Sequence, residues 1–263
     1  DRRQLLRQVP RTRMARHRLI RTDADTRLSM AFGESYGDWI RKRFGDVPPV
    51  PDGVAFPKSR DEVRTLLDLA QRNGWVVIPF AGGTSVAGHL DCPVSERPIL
   101  SLNLGRLSGL LAIDPEAQLA TFGAGTSGPA IEAALREHGY TLGHFPQSFE
   151  YSTVGGWVVT RSSGQQSLRY GRIEQLFAGG HMETPVGPLT IPTVPASAAG
   201  PDLRELVMGS EGRFGVLTEA TVRVTPLPEH ESFHAIFLPD WDAAEEAVRT
   251  LVQRKLPLSM MRL

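Results

Sequence analysis

Between residues 59 and 74 apolar side chains recur at Val63, Leu66, Leu67 and Ala70, with polar and charged residues between them. That spacing draws one apolar stripe along a helix. Ser59 followed by Glu62 makes a capping-box start, and Asn73-Gly74 makes a stop. "WVVIP" (75–79) then reads as a short apolar strand that delivers the chain into the loop "PFAGGTSVAGH" (79–89). Further on, "ILSLN", "GLLAID" and "QLATFGAG" read as strands between turn residues. "GPAIEAALREHG" reads as a helix with Pro129 in its first turn and Gly139 past its end.

From 143 to 175 the pattern breaks into a polar, glycyl stretch, and long irregular segments inside compact domains are usually functional or mobile. Asp202 with Glu205 starts a short helix through "LRELVMG", and "GVLTEATVRVTP" (215–226) alternates as a half-buried strand. After "PLPEH", a strand "FHAIFLP" is predicted, then a helix with Trp241, Ala244, Val248 and Leu251 on one face, then a strand "LPLSMMRL". The class is α+β, in three segments. These are a basic, helical extension over 1–45, a domain over 46–228 entered through "DVPPVPDG", and the beginning of a further α/β domain over 229–263.

Composition narrows the function classes. The 263 residues are 41% hydrophobic, enough for a real core. Lysine plus arginine equals aspartate plus glutamate at 29 each, so no long-range field recruits nucleic acid, and any anion site must be local. Only Lys42, Lys58 and Lys255 are lysines, an arginine bias that fits GC-rich bacterial coding. The single cysteine, Cys92, excludes an internal disulfide and any multi-cysteine metal site, and it fits a reducing compartment. No apolar run approaches the roughly 20 residues of a spanning helix, and the arginine-rich start lacks a secretory centre, so a cytoplasmic location is expected. For the basic extension, a plain surface helix and contact with a lipid surface or a partner both stay open.

Three motifs match known patterns. "GAGTSG" (123–128) is literally G-x-G-x-x-G, with Glu150 about twenty residues on. The segment before that glutamate reads as loop rather than strand, so tight strand-to-helix turning is the better account. "HESFH" (230–234) is literally H-E-x-x-H, but the flanking prolines and the alternation of Phe233, Ala235 and Phe237 predict a strand. A strand holds the two histidines too far apart for one zinc, so no metal is expected. In the third motif, Gly82, Gly83 and Gly88 permit close backbone approach and Thr84 and Ser85 offer hydroxyls. Such nests bind phosphate without net charge.

Together, "PFAGGTSVAGH", "GHFPQSFEYSTVGGWVVTRSSGQQSLRYGRIEQL" and "GPDLRELVMGSEGRFGVLTEATVRV" resemble the FAD-binding domain of the vanillyl-alcohol-oxidase/PCMH flavoprotein family, from about Asp46 to Pro228. Within that family the likeness runs to the alkyldihydroxyacetonephosphate synthase branch. It implies a two-subdomain PCMH-type FAD-binding fold followed by the start of an α/β cap domain, and FAD held non-covalently. His89 and Cys92, just past the loop, are weighed as attachment points and set aside. Carried over residue by residue, Pro79, Ala81, Gly82, Gly83, Thr84 and Ser85 would cradle the pyrophosphate. Gln147, Ser148, Glu150, Ser152 and Thr153 would run along the flavin and its linker. Thr160, Arg161, Ser162 and Ser163 match a further contact run, and Glu211, Gly212, Phe214, Gly215 and Val216 an adenine-side segment. The branch exchanges acyl for alkyl on dihydroxyacetone phosphate without net redox change. Its acid, base and phosphate-binding groups lie in the cap and beyond, so no catalytic residue is assigned, and His144 and His181 stay unassigned. Two further readings remain open: a flavin oxidase or dehydrogenase of a 2-hydroxy acid or alcohol, of D-lactate or glycolate type, and a FAD module acting through a partner chain. The expected substrate is a small molecule, either a lipid-like ester or a hydroxy acid. Homodimerisation is left open.

Overall fold

The computed structural model describes residues 2–263. Helices α1 (Arg2–Gln8), α2 (Ala24–Ser29) and α3 (Tyr36–Phe44) and strand β1 (Ile20–Arg21) come first. Then follow β2 (Gly53–Ala55), α4 (Arg60–Asn73), β3 (Val76–Phe80) and β4 (Ile99–Asn103). The four strands make one sheet in the order β1-β2-β4-β3, with β4 parallel to both neighbours and β1 antiparallel at the edge. The stripe of α4 buries Val63, Leu66 and Leu67 against Leu100 and Leu102 of β4, as its spacing requires.

Ser59 caps α4 by accepting the Glu62 N–H at 3.2 Å. The Glu62 carboxylate turns to the Lys58 N–H at 2.8 Å, so the capping arrangement is shifted by one residue from the box expected. Ser59→Ala is expected to cost about 1 kcal/mol, seen as a drop of about 2–4 °C in thermal midpoint by circular dichroism.

The N-terminal segment is woven into this first sheet. Ile20 and Met14 share the core of α4, and buried Arg27 donates to the carbonyls of Pro51 (2.6 Å) and Pro10 (2.8 Å). Arg13 grips Asp52 through Nε (2.8 Å) and Nη2 (2.6 Å). Burial pushes the Asp52 carboxyl up, but the Arg13 hydrogen bonds and the Ile99 N–H outweigh it, leaving the group below its ordinary range.

The second half contains β5 (Leu110–Asp114), β6 (Leu119–Gly123), α5 (Gly128–Glu137), β7 (Tyr140–Thr141) and α6 (Val154–Thr160). It continues through α7 (Ser167–Tyr170), α8 (Ile173–Leu176), β8 (Phe177–Thr184), β9 (Gly187–Ile191), α9 (Leu203–Val207), β10 (Val216–Arg223), β11 (Thr225–Pro226) and α10 (Trp241–Gln253). An antiparallel sheet runs β5-β6-β10-β8-β9, and β11 pairs with β7. Helices α5, α6 and α8 cover one face, burying Ile131, Leu135, Trp157 and Ile173 with Phe122, Phe177 and Ala220 of the sheet.

Two expectations are corrected here. Strand β10 is not half-buried: it lies between β6 and β8, gives Val216 to the core of the first sheet and Leu217, Ala220 and Val222 to that of the second, and Arg60 of α4 reaches its Glu219 (3.1 Å). Its buried hydroxyls are satisfied, Thr218 by the His181 carbonyl (3.0 Å) and Thr221 by Thr121 (2.8 Å). Beyond Pro228 the helix α10 forms, but "FHAIFLP" and "LPLSMMRL" are not strands. No described strand lies alongside them to complete a ladder, and Phe233, Ile236 and Phe237 are exposed. Among the described residues no helix is long and apolar enough to cross a membrane.

Candidate cofactor site

The apolar strand β3 ends at Phe80, and the chain enters the glycine loop with Gly83 at φ +70°, a left-handed conformation that favours glycine. Gly82 is bare for a different reason: a Cβ there would overlap the Tyr151 carbonyl, so the loop closes against the 151–152 segment. Among the described residues, the N–H groups of Gly82, Gly83, Thr84 and Ser85 have no protein acceptor. The loop is held from behind, where the Ser85 carbonyl accepts the Glu34 N–H at 2.8 Å.

The opposite wall starts at α5. Buried Glu132 accepts from the Thr141 hydroxyl (2.7 Å) and from the N–H groups of Leu142 and Gly143 (both 3.1 Å), anchoring the entry to the 144–152 segment. Thr153 then caps α6. Between these walls and the 211–217 segment lies a cavity of about 420 Å³.

The structure brings most of the sequence-derived residues to that cavity: Pro79, Ala81, Gly82, Gly83, Thr84, Ser85, Ser148, Ser152, Thr153, Thr160, Ser162, Glu211, Gly212 and Gly215. Six do not line it. Gln147, Glu150, Ser163 and Phe214 are exposed outside it, and Val216 is buried in the core of the first sheet. Arg161, at the left-handed C-cap of α6, turns away to pair with Glu205 and Glu174 (3.8 Å) and to donate to the Met208 carbonyl (3.3 Å). Its contacts are those of a structural ion pair.

Sequence reasoning missed most of the apolar walls: Val77 and Ile78 of β3, Leu104, Ala124 and Trp157. Their signal is that of any core residue. Only their side of the strand or helix separates them, and that depends on the tertiary fold. His89 also lines the cavity, and its Nε2 lies 3.1 Å from Glu211 Oε1, tying the glycine loop to the 211–217 segment.

Two rings stand behind cavity hydroxyls. Trp157 Nε1 donates to Ser152 Oγ at 2.7 Å, and His144 Nε2 lies 2.9 Å from Ser162 Oγ. His144 is fully buried, edge-on to Trp157 at 4.9 Å between centroids. Burial pulls its pKa down to about 4, so the imidazole is neutral at pH 7.

The remaining motifs play no part in the chemistry that their patterns suggest. In "GAGTSG" Ala124 joins the apolar wall, while a Cβ on Gly125 would overlap the Leu104 carbonyl, so the glycine serves close packing of the turn. "HESFH" lies on an exposed segment outside any helix, where His234 Nε2 meets Ser232 Oγ at 3.1 Å. Burial, with Asp52 and Asp91 adding to it, pushes the Cys92 thiol up to about 12, which removes it as a nucleophile near neutrality.

Unpaired N–H groups, hydroxyls and apolar side chains in one lining, with no lysine or arginine among them, suit a ligand that joins a phosphate to a flat ring system. A family model described as "FAD binding domain" matches residues 51–190. The chain belongs to that family. Alkyldihydroxyacetonephosphate synthase of Trypanosoma brucei brucei is 37% identical over 246 residues, covering 93% of this chain and 40% of that protein. The synthase of Dictyostelium discoideum is 34% identical, covering 92% and 40%. A solved structure of alkyldihydroxyacetonephosphate synthase matches with a TM-score of 0.76 at 38% identity, over 81% of this chain and 38% of that one. The chain therefore spans about two-fifths of the length of these relatives. This FAD-binding domain has the two-subdomain PCMH-type fold, resembles the synthase, and takes FAD as a non-covalent cofactor. The cavity fits that group: its glycine loop carries backbone N–H groups with no protein acceptor, the kind of donor an anion such as a pyrophosphate needs.

Proposed function

We propose that this chain is the cofactor-holding part of a flavoenzyme of the alkyldihydroxyacetonephosphate synthase type, which exchanges the acyl group of an acylated dihydroxyacetone phosphate for an alkyl group. The observation that carries the reading is the row of unpaired N–H groups from Gly82 to Ser85, in a loop that lines one largely apolar cavity together with Ser152, Thr153 and Ser162. Relatives carrying the synthase name over more than nine-tenths of the chain supply the reaction class.

In this reading the loop N–H groups and the Thr84 and Ser85 hydroxyls hold the pyrophosphate, so binding needs no basic side chain. Val77, Ile78 and Leu217 wall the cavity and exclude water from the ring system. Trp157 fixes Ser152, and the His89–Glu211 pair holds the two rims together. Bound flavin supplies the electron sink for the exchange. The groups that move protons on the substrate belong to the rest of the enzyme.

The test has two stages. Purified chain should show a flavin spectrum that moves to the supernatant on acid precipitation. The full-length enzyme should then exchange a labelled fatty alcohol into acyl-dihydroxyacetone phosphate, with no lasting bleaching by D-lactate or glycolate. Lasting bleaching by a hydroxy acid without alcohol exchange would replace this reading with the dehydrogenase class.

A further inference from the structure

Ser162 reaches the cavity from a pinned backbone. Its N–H donates to the Trp157 carbonyl at 3.0 Å, and its own carbonyl accepts the Ile173 N–H at 3.3 Å. Rotation of the hydroxyl is the freedom left to it. Behind it stands His144, and which atom carries the shared proton decides what Ser162 offers a ligand.

The tautomer follows from hydrogen-bond satisfaction. His144 Nδ1 is buried with no partner. If Nδ1 carried the proton, a donor would be buried unpaired, which costs more than leaving a lone pair idle. The proton therefore sits on Nε2, and Ser162 Oγ accepts it. The neighbouring pair sets the same polarity without ambiguity, because indole Nε1 can only donate, and Ser152 Oγ accepts it at 2.7 Å. Each serine has its acceptor role engaged from behind.

We infer that His144 is a positioning residue of the FAD site: by donating from Nε2 to Ser162 Oγ, it commits the Ser162 proton to an acceptor oxygen of the bound cofactor. The inference rests on FAD occupying the cavity. Flavin carbonyls and phosphate oxygens are both acceptors, and both lack a donor of their own to offer in return.

The first measurement is long-range ¹H–¹⁵N correlation of the histidine rings in the FAD-free chain at pH 7. His144 should give the Nε2–H pattern, and a Nδ1–H pattern would overturn the proposal. This arm needs no cofactor, so a chain that failed to take up FAD would sink the cofactor reading while the hydrogen-bond polarity was still decided.

The second measurement is a double-mutant cycle on FAD affinity, followed by fluorescence quenching. Ser162→Ala should weaken binding about fivefold to tenfold. His144→Leu should cost about the same, and the double variant no more than either alone. His144→Gln, whose amide nitrogen can stand near the place of Nε2, should restore affinity to within about twofold of wild type. An effect of His144→Leu that persisted undiminished in the Ser162→Ala background would show a packing role only and overturn the proposal. The flavin absorption band and the ³¹P shifts of bound FAD tell the two acceptors apart. A change in the former on Ser162→Ala assigns a ring carbonyl, and a change in the latter a phosphate oxygen.

Discussion

Gly83→Asp will leave the domain folded and unable to hold FAD. The residue sits at φ +70° among N–H groups that have no protein acceptor, so on the proposed reading a carboxylate there stands beside the donors that would hold the pyrophosphate. Two costs must be separated. Any side chain here adopts an unfavoured backbone conformation, and a Cβ would press on the Phe80 ring at 3.0 Å. Asparagine shares both, and it tolerates the left-handed region better than most residues. Gly83→Asn should therefore weaken FAD by about tenfold or less, since strain of this kind is worth about 1 kcal/mol. Aspartate adds a charge against the pyrophosphate. Unit charges about 4 Å apart near a protein surface repel by about 4 kcal/mol, on the order of a thousandfold in affinity. Fluorescence titration of the two variants, with circular dichroism melts as the folding check, reads the difference. Equal FAD affinity in the Asp and Asn variants would remove the loop from the phosphate site.

The contrast between what the sequence pattern revealed and what it hid follows from where each element draws its stability. Helix α4 and strands β3 and β4 were legible because local signals and burial agree: a cap at Ser59, a stripe at Val63, Leu66, Leu67 and Ala70, and apolar strands beside them. Strand β8 was not legible. It carries Gly179-Gly180 at its centre, which propensity argues against, yet a Cβ on Gly180 would overlap the Glu219 carbonyl of β10. Helix α6 was hidden in the same way. Its Val-Gly-Gly-Trp-Val-Val-Thr sequence is poor in helix formers, and it forms because Val154, Trp157 and Val158 are buried with Phe122. A Cβ on Gly155 would crowd Ala124 at 2.7 Å, so the glycines that lower propensity are what let the helix sit close. The error after Pro228 runs the other way, since alternation there is real but finds no strand to pair with.

The same logic sorts the site residues. The glycine loop reaches the cavity that its residue types led one to expect, because what it offers is backbone. Side-chain direction was harder. Gly215 and Leu217 line the cavity while Val216 faces the other core, the period of two expected at the start of a strand. Thr160 and Ser162 line it while Arg161 does not, because the left-handed cap swings that side chain toward α9. Within each contiguous run, therefore, only some side chains reach the cavity. Directions set by turns and caps belong to the fold rather than to the motif.

His144 carries the second large effect. Acid should destabilise the chain through this one residue by about 2 kcal/mol at pH 5 and about 3 kcal/mol at pH 4, relative to pH 8. The sign follows from the direction of the shift. Burial pulls the folded-state pKa down to about 4 from 6.5, so between those values the unfolded chain binds a proton that the folded chain refuses. Stability is therefore unaffected well above pH 6.5, falls as pH drops through that value, and stops falling from this source below about 4. Other groups titrate in the same range, and the measurement must subtract them. Urea unfolding of the wild type and of His144→Gln at pH 8, 6, 5 and 4 does so, because the variant keeps every other titrating group. The wild type should be the more stable at pH 8, where the ring packs edge-on to Trp157, and that advantage should shrink by about 3 kcal/mol on reaching pH 4. A stability difference constant across the series would mean that the ring accepts a proton in place. The polar contact with Ser162 would then be strong enough to carry a charge, contrary to its enclosure.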